Sequence, residues 1–172
     1  MCLPGGRACN ALDDDPIDVN ASEPVWTRIW IFNPQTSAWS HVRWQLATKP
    51  PNVSWVGLSE ITLADGSWIL IERDNRTGDF GVLKTLVKVD VAAGSDGMFT
   101  SNEKSVYDLR PGLTATNGWI TDKPEGVAVL PDGRTFVVTD NDGVDDWSGE
   151  TWFLDLGPYW ALFESAFLGT AR

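Results

Sequence analysis

The sequence has very little histidine, and this scarcity limits the chemistry that the chain can perform. Only His41 is present among 172 residues, so a zinc or iron site built on several histidines is excluded. His41 is also the one candidate base for a Ser-His-Asp or Cys-His arrangement, but its alternating surroundings favour a half-exposed strand residue. Acid, base or metal chemistry in this chain must therefore rest on carboxylates.

Basic residues are also few, because 13 Lys and Arg stand against 24 Asp and Glu and give a formal net charge of −11. A surface of this sign repels the phosphate backbone of nucleic acids, so we expect no nucleic-acid partner. Metal cations suit such a surface far better.

Long apolar runs are missing, and the two cysteines stand close together near the amino terminus. No run reaches the roughly 18 residues of a membrane span, so no membrane partner is expected, and the first residues lack a signal-peptide pattern. Cys2 and Cys9 lie too near the terminus to staple a core. We expect unbonded thiols in a loosely held terminus, with a local disulfide between Cys2 and Cys9 as the alternative.

What the sequence does contain is a series of short alternating strand patterns separated by turn residues. Asp-Gly dipeptides at 65–66 and 132–133 each stand between two apolar strands, which is a strong hairpin signal. We count about nine strands, expect Pro111-Gly112 to close one of them, and expect no helix before the carboxyl terminus. The patterns predict three hairpins, in which 25–32 pairs with 38–47, 56–63 with 67–72, and 126–130 with 134–139. They also predict three further strands, at 83–91, 105–109 and 150–156.

Two of these hairpins belong to an internal repeat with an offset of 67 residues. LSEITLADGSWILIERDN at 58–75 aligns with EGVAVLPDGRTFVVTDND at 125–142, and each copy is a strand, a turn, a strand and a polar cluster. Recurrence of such a unit is typical of the radially arranged sheets of a β-propeller. Two unrelated hairpins in a β-sandwich stay open as the alternative.

We therefore predict an all-β chain of propeller-like blades, each with four antiparallel strands. Residues 1–24 are interpreted as a poorly ordered leader, 25–157 as the propeller part, and 158–172 as an apolar tail. The propeller part amounts to about two and a half blades, which are too few to close a ring. We expect an incomplete propeller of the six-bladed type, either a fragment or a chain that associates with itself through open blade edges.

Polar residues follow the second strand of each repeat copy. Oxygen ligands from Asp, Glu and Asn suit Ca²⁺, whereas an arginine offers a donor fork for a phosphate or carboxylate. Turn residues with a surface ion pair are the alternative interpretation. The predicted metal ligands are Glu72, Asp74, Asp140, Asn141 and Asp142, and the predicted anion-binding residue is Arg73.

Two further glutamates stand in or next to apolar strands. Glu60 interrupts the strand predicted at 56–63, and Glu125 opens the strand that follows the turn residues 122–124. A carboxylate at the innermost strand of a blade must be paired, bound to a metal or solvated in the central channel. Glu60 or Glu125 is therefore the candidate base that takes a proton from water, with ordinary exposed glutamates as the alternative.

The segments that carry these residues resemble a bacterial propeller family described as phytase-like, with the esterase-like activity of phytase. The resemblance covers about Trp26 to Gly157 and implies a secreted or periplasmic, metal-dependent phosphoester hydrolase, with the acidic positions named above and Arg73 carrying the activity. The matching stretches are VGLSEITLADGSWILIERDN, KTLVKVDV, KSVYDL, KPEGVAVLPDGRTFVVTDNDG and FLDLG.

In the expected reaction, Ca²⁺ neutralises a phosphate and polarises it toward attack by water, while Arg73 stabilises the charge that develops. Two other functions stay open. One is a Ca²⁺-dependent lactonase similar to the gluconolactonase and senescence-marker-protein propellers. The other is a non-catalytic, truncated propeller or interaction module. The 10 tryptophans are spread over nearly every strand and are expected to pack between blades, with sugar stacking as the alternative.

Overall fold

The computed structural model describes residues 8–10, 24–91, 97–120, 123–140 and 151–164. Sheet A consists, in spatial order, of β1 (Ala8–Asn10), β2 (Trp26–Asn33), β3 (Ala38–Gln45) and β7 (Met98–Phe99). Sheet B consists of β4 (Val56–Ala64), β5 (Ser67–Asp74), β6 (Lys84–Asp90) and β8 (Ser105–Asp108). Sheet C consists of β9 (Pro124–Val129), β10 (Arg134–Thr139) and β11 (Phe153–Pro158). The described residues also include two α-helices, α1 (Arg110–Asn117) and α2 (Tyr159–Glu164), and two short 3₁₀-helices at Gly78–Phe80 and Ser101–Glu103.

The three predicted hairpins are confirmed as the antiparallel pairs β2–β3, β4–β5 and β9–β10. Asp65 and Gly66 have φ angles of 45° and 74°, which is the left-handed backbone that a two-residue hairpin turn requires. β5 and β10 begin at Ser67 and Arg134, so the repeated hairpins keep the offset that the sequence shows.

The prediction of an all-β, propeller-like fold is confirmed by the way the sheets stack. Sheet B lies between the other two, and successive residues of β5 point to opposite sides. Trp68 and Leu70 pack toward sheet A around Trp44. Ile69 and Ile71 pack toward sheet C. The three sheets therefore form an open row, and none of them closes on itself within the described ranges.

Three elements differ from the sequence-based expectation. β1 and β7 were not predicted, and β7 pairs with β3 in parallel, so sheet A is not wholly antiparallel. The expectation of no helix before the carboxyl terminus is wrong, because α1 follows β8 directly. Pro111 stands in the first turn of α1, where the missing N–H has no intrahelical partner to lose, and Gly118 ends the helix with a φ of 80°.

The segments near both ends of the chain include some described residues, at 8–10 and 159–164. β1 lies within the segment interpreted as a leader and pairs with β2, with Cys9 opposite Trp30, while the rest of that segment except Pro24 lies outside the described residues. α2 opens the apolar tail and buries Leu162 and Phe163 between sheets B and C. No described helix combines the length and the apolar character that crossing a membrane would require.

Candidate functional site

The candidate site lies where sheets B and C meet, at the end of β5. β4 and β9, the first strands of these two sheets, contact each other, and the Ser59 hydroxyl donates a hydrogen bond to the Pro124 carbonyl at 2.8 Å. The register between β4 and β5 shifts between Leu58 and Glu60, which marks a bulge at this contact. We call the contact between β4–β5 and β9 the B–C seam.

An ion pair crosses the B–C seam. Arg73 Nη2 lies 2.7 Å from Glu125 Oε1, and the Trp55 ring centroid lies 5.1 Å from the Arg73 guanidinium carbon. The Arg73 side chain is only 7% exposed, but that of Glu125 is 39% exposed. The structure therefore brings these two predicted catalytic residues together and leaves the carboxylate in contact with solvent.

Glu60 lies on the same side of sheet B as Arg73. It pairs across the ladder with Ile71, whose side chain belongs to the core shared with sheet C, whereas its neighbour Ile61 packs toward sheet A. Glu60 is half-buried, and its Oε1 accepts the Ile61 N–H at 2.8 Å. Burial raises the pKa of Glu60 above its ordinary value, and the hydrogen bond from Ile61 opposes this only in part.

Glu72 points to the opposite side, toward sheet A. Its Oε1 accepts the Ala47 N–H at 2.7 Å, and its Oε2 lies 3.5 Å from Lys104 Nζ, with exposures of 3% and 5% for the two charged side chains. Lys104 Nζ also donates to the Gln45 carbonyl and lies 3.9 Å from the Trp44 ring centroid. Burial lowers the pKa of Lys104, although Glu72 works against the change. Glu72 therefore connects sheet B to sheet A. We call this contact of Glu72 with Ala47 and Lys104 the A–B seam.

Asp74 is enclosed completely. Its Oδ1 accepts from Lys84 Nζ at 2.7 Å and from the Arg76 N–H at 2.9 Å, while its Oδ2 accepts the Val82 and Leu83 N–H groups at 2.9 and 2.7 Å. Both side chains of the Asp74–Lys84 ion pair are 0% exposed. Four donors use the acceptor capacity of this carboxylate.

The predicted metal ligands are not equivalent in this arrangement. Lysine and backbone donors occupy the oxygens of Glu72 and Asp74, so these two carboxylates do not fit a metal shell here. Asp140 is exposed just after β10, and Asn141 and Asp142 lie outside the described residues. Within the described ranges, no three His, Cys, Asp or Glu side chains are grouped to hold a metal ion. The calcium prediction thus depends on residues 140–142 and stays a prediction.

The sequence does not predict the contacts that three residues make in this region: Trp55, Lys84 and Lys104. Lys84 begins β6 and Lys104 directly precedes β8, and neither strand pattern indicates a buried lysine. Each lysine pairs with a carboxylate that the sequence predicts to be a metal ligand, Asp74 and Glu72 respectively. The one sequence signal for Lys84 is its position at the start of β6, a strand with apolar residues, where a lysine must find a partner if it is buried.

A cleft of about 500 Å³ lies beside α1, lined by Asp108, Arg110, Pro111, Thr114, Ala115 and Ile120. The Arg110 side chain donates three hydrogen bonds to Asp108, from Nε to Oδ1 and Oδ2 at 2.9 and 3.0 Å and from Nη2 to Oδ2 at 2.7 Å. Burial alone would raise the pKa of Asp108, but the bonds from Arg110 outweigh it and hold that pKa below its ordinary value. The fork of Arg110 is therefore already occupied by a carboxylate.

Comparison with known families assigns the chain to a family. A family model described as phytase-like, esterase-like activity of phytase, matches residues 4–143. The chain belongs to this phytase-like family. The match includes Glu60, Arg73 and Glu125 and begins before β1, which is further toward the amino terminus than the stretches that carry the resemblance in the sequence. The comparisons with curated proteins and with solved structures found no match.

Proposed function

We propose that this phytase-like chain hydrolyses phosphoesters at the B–C seam. The observation that carries the proposal is the Arg73–Glu125 pair, in which a buried guanidinium holds a carboxylate that still reaches solvent at 39% exposure. Membership of a family described by esterase-like activity supports a hydrolase. The substrate class and the division of roles are our inference from the side chains.

The seam contains two carboxylates in different environments, and such pairs can divide acid and base roles. Glu125, oriented by Arg73, accepts the proton of the attacking water. Glu60 keeps its proton to a higher pH than an ordinary glutamate because burial raises its pKa, so it supplies a proton to the leaving oxygen. Arg73 contributes positive charge next to the phosphate, which offsets the charge that grows during attack.

Calcium remains part of the proposal only through the acidic segment that begins at Asp140, and a secreted or periplasmic location remains a prediction from the family. Calcium titration followed by thermal unfolding tests the metal, because a ligand of the folded state raises the Tm. We expect a rise in Tm that Asp142→Asn removes and Asp79→Asn, an exposed aspartate elsewhere, leaves in place. A Tm that does not respond to calcium would remove the metal from the proposal.

The hydrolytic proposal is tested by turnover of three substrates by the full chain in the presence of calcium: p-nitrophenyl phosphate, a p-nitrophenyl phosphodiester and a sugar lactone. We expect turnover of a phosphoester, reduced about 10²- to 10⁴-fold in Glu125→Gln. Glu164→Gln, at the exposed end of α2, is the matched control and should keep full activity. Turnover of the lactone alone, or of none of the three, would overturn the proposal.

A further inference from the structure

The row of three sheets has two outer faces, and the first belongs to sheet A. Ile29 and Ile31 of β2 point inward to the core with sheet B, so the alternate residues of β2 and their partners on β3 point outward. We call this outer surface the A-face. It consists of Trp26, Arg28, Trp30, Phe32, Trp39, His41 and Arg43.

Aromatic rings form a ladder across the A-face. Phe32 packs on Trp39 and Trp30 on His41, with ring centroids 4.9 Å apart in both pairs. The Arg43 guanidinium lies 4.6 Å from the centroid of a fifth ring on the same face, that of Trp26. Trp39 is 56% exposed, which is unusual for so large an apolar side chain. Neither β2 nor β3 contains an acidic residue, so these two strands present aromatic rings and arginines on the A-face.

The second outer face belongs to sheet C. Val127 and Val137 point inward to the core with sheet B, so the alternate residues point outward. We call this surface the C-face; it consists of Ala128, Arg134, Phe136, Val138, Phe153 and Asp155.

The C-face centres on a stacked pair of rings. Phe136 and Phe153 stack with centroids 5.1 Å apart, and Phe153 is 70% exposed. Arg134 lies 3.1 Å from Asp132 and 3.9 Å from Asp155, so two carboxylates surround its single positive charge. The surroundings of this aromatic face are therefore acidic on balance, in contrast to the A-face.

We propose that the A-face of one copy packs on the C-face of a second copy, and that two such contacts close a dimer. Within one chain, sheet A packs face to face on sheet B, and sheet B on sheet C, so the proposed contact repeats a packing that the fold already uses twice. Exposed aromatic patches of this kind are typical of interaction surfaces.

Charge decides which faces meet. An A-face against another A-face would bring the Arg43 side chains of both copies together, whereas the C-face offers Asp155 and the nearby Asp132. A contact between an A-face and a C-face is heterologous. Two copies form a closed dimer when the A-face of each copy packs on the C-face of the other.

Sedimentation velocity of the full chain tests the proposal. We expect a species of twice the 18.9 kDa chain mass. Trp39→Asp on the A-face and Phe153→Asp on the C-face should each give the monomer. Phe80→Asp is the matched control, because Phe80 is 71% exposed but lies on neither face, and this variant should remain a dimer. Circular dichroism establishes that each variant is folded.

Mixing the two disrupted variants tests the unlike pairing directly. The Trp39→Asp chain keeps an intact C-face and the Phe153→Asp chain keeps an intact A-face, so an equimolar mixture regains one contact. We expect two-chain species in the mixture at concentrations where each variant alone is monomeric. A monomeric wild-type chain, an open series of larger species, or disruption by only one of the two substitutions would overturn the proposal.

Discussion

Neighbouring residues at the end of β5 meet two different seams. Toward sheet A, Glu72 is paired with Lys104 and both side chains are almost completely buried. Toward sheet C, Arg73 is buried to a similar degree, but its partner Glu125 is 39% exposed. Both ion pairs join two sheets, but the carboxylate at the A–B seam is enclosed, whereas the carboxylate at the B–C seam also contacts solvent.

The two seams also differ in what an ion pair does for stability. Breaking a fully buried pair leaves an uncompensated charge in the interior, which costs far more than the loss of a pair that water can replace. Substitutions in the enclosed group of Glu72, Asp74 and Lys84 should therefore act on folding, whereas substitution of Glu125 should act on the reaction.

The largest effect on stability is expected for Asp74→Ala. This change removes the carboxylate that pairs with the Lys84 ammonium, which is 0% exposed, and the acceptor for three backbone N–H groups. We expect a loss of about 3–5 kcal/mol in the free energy of unfolding, measured by urea denaturation. Asp132→Ala, which removes an exposed partner of Arg134, should leave the free energy of unfolding nearly unchanged. Equal effects of the two substitutions would contradict the assignment of Asp74.

A smaller loss is expected for Glu72→Gln. The amide keeps an acceptor for the Ala47 N–H but no longer compensates the charge of Lys104. We expect a loss of about 1–3 kcal/mol in the same measurement. Glu164→Gln is the matched control and should match the wild-type chain. A Glu72→Gln chain as stable as the wild type would show that the A–B seam does not depend on this charge.

The smallest effect is expected for Glu60→Gln and depends on pH. Because burial raises the pKa of Glu60 above 4.5, the folded chain keeps this proton to a higher pH than the unfolded chain. The resulting stability is fully present below pH 4.5 and is lost as the pH rises through the folded pKa. The free energy of unfolding of the wild type should therefore fall relative to Glu60→Gln between pH 4.5 and pH 7. A pH-independent difference between the two chains would be inconsistent with the raised pKa.

Local turn chemistry explains why the fold could largely be predicted from the sequence. The Asp65-Gly66 turn and its copy at 132–133 specify the hairpins, and alternation of apolar residues specifies their faces. α1 was missed because Pro111-Gly112 favours a turn by local statistics, whereas burial of Leu113 at 0% exposure helps to stabilise a helix there. β1 and β7, with three and two residues, are too short for a periodic signal.

The candidate site could be predicted only in part, because its contacts join distant parts of the chain. The sequence shows that Arg73 and Glu125 are charged residues at strand ends, but their pairing spans 52 residues and depends on how sheets B and C stack. Glu72 meets Lys104 at the A–B seam, and Asp74 meets Lys84 at the start of the neighbouring strand β6. Local sequence cannot distinguish a carboxylate that faces Lys84 from one that faces solvent.

The most direct test of the difference between the seams is a paired measurement of kcat/KM for phosphoester hydrolysis and of Tm in Glu125→Gln and Glu72→Gln. We expect Glu125→Gln to lose about 10²- to 10⁴-fold in kcat/KM with a smaller fall in Tm than that of Glu72→Gln, because the Glu125 position stays in contact with solvent. Glu72→Gln should instead lower the Tm and keep kcat/KM at temperatures where it is folded. A Glu125→Gln chain with wild-type kcat/KM would contradict the assignment of the B–C seam as the site of catalysis.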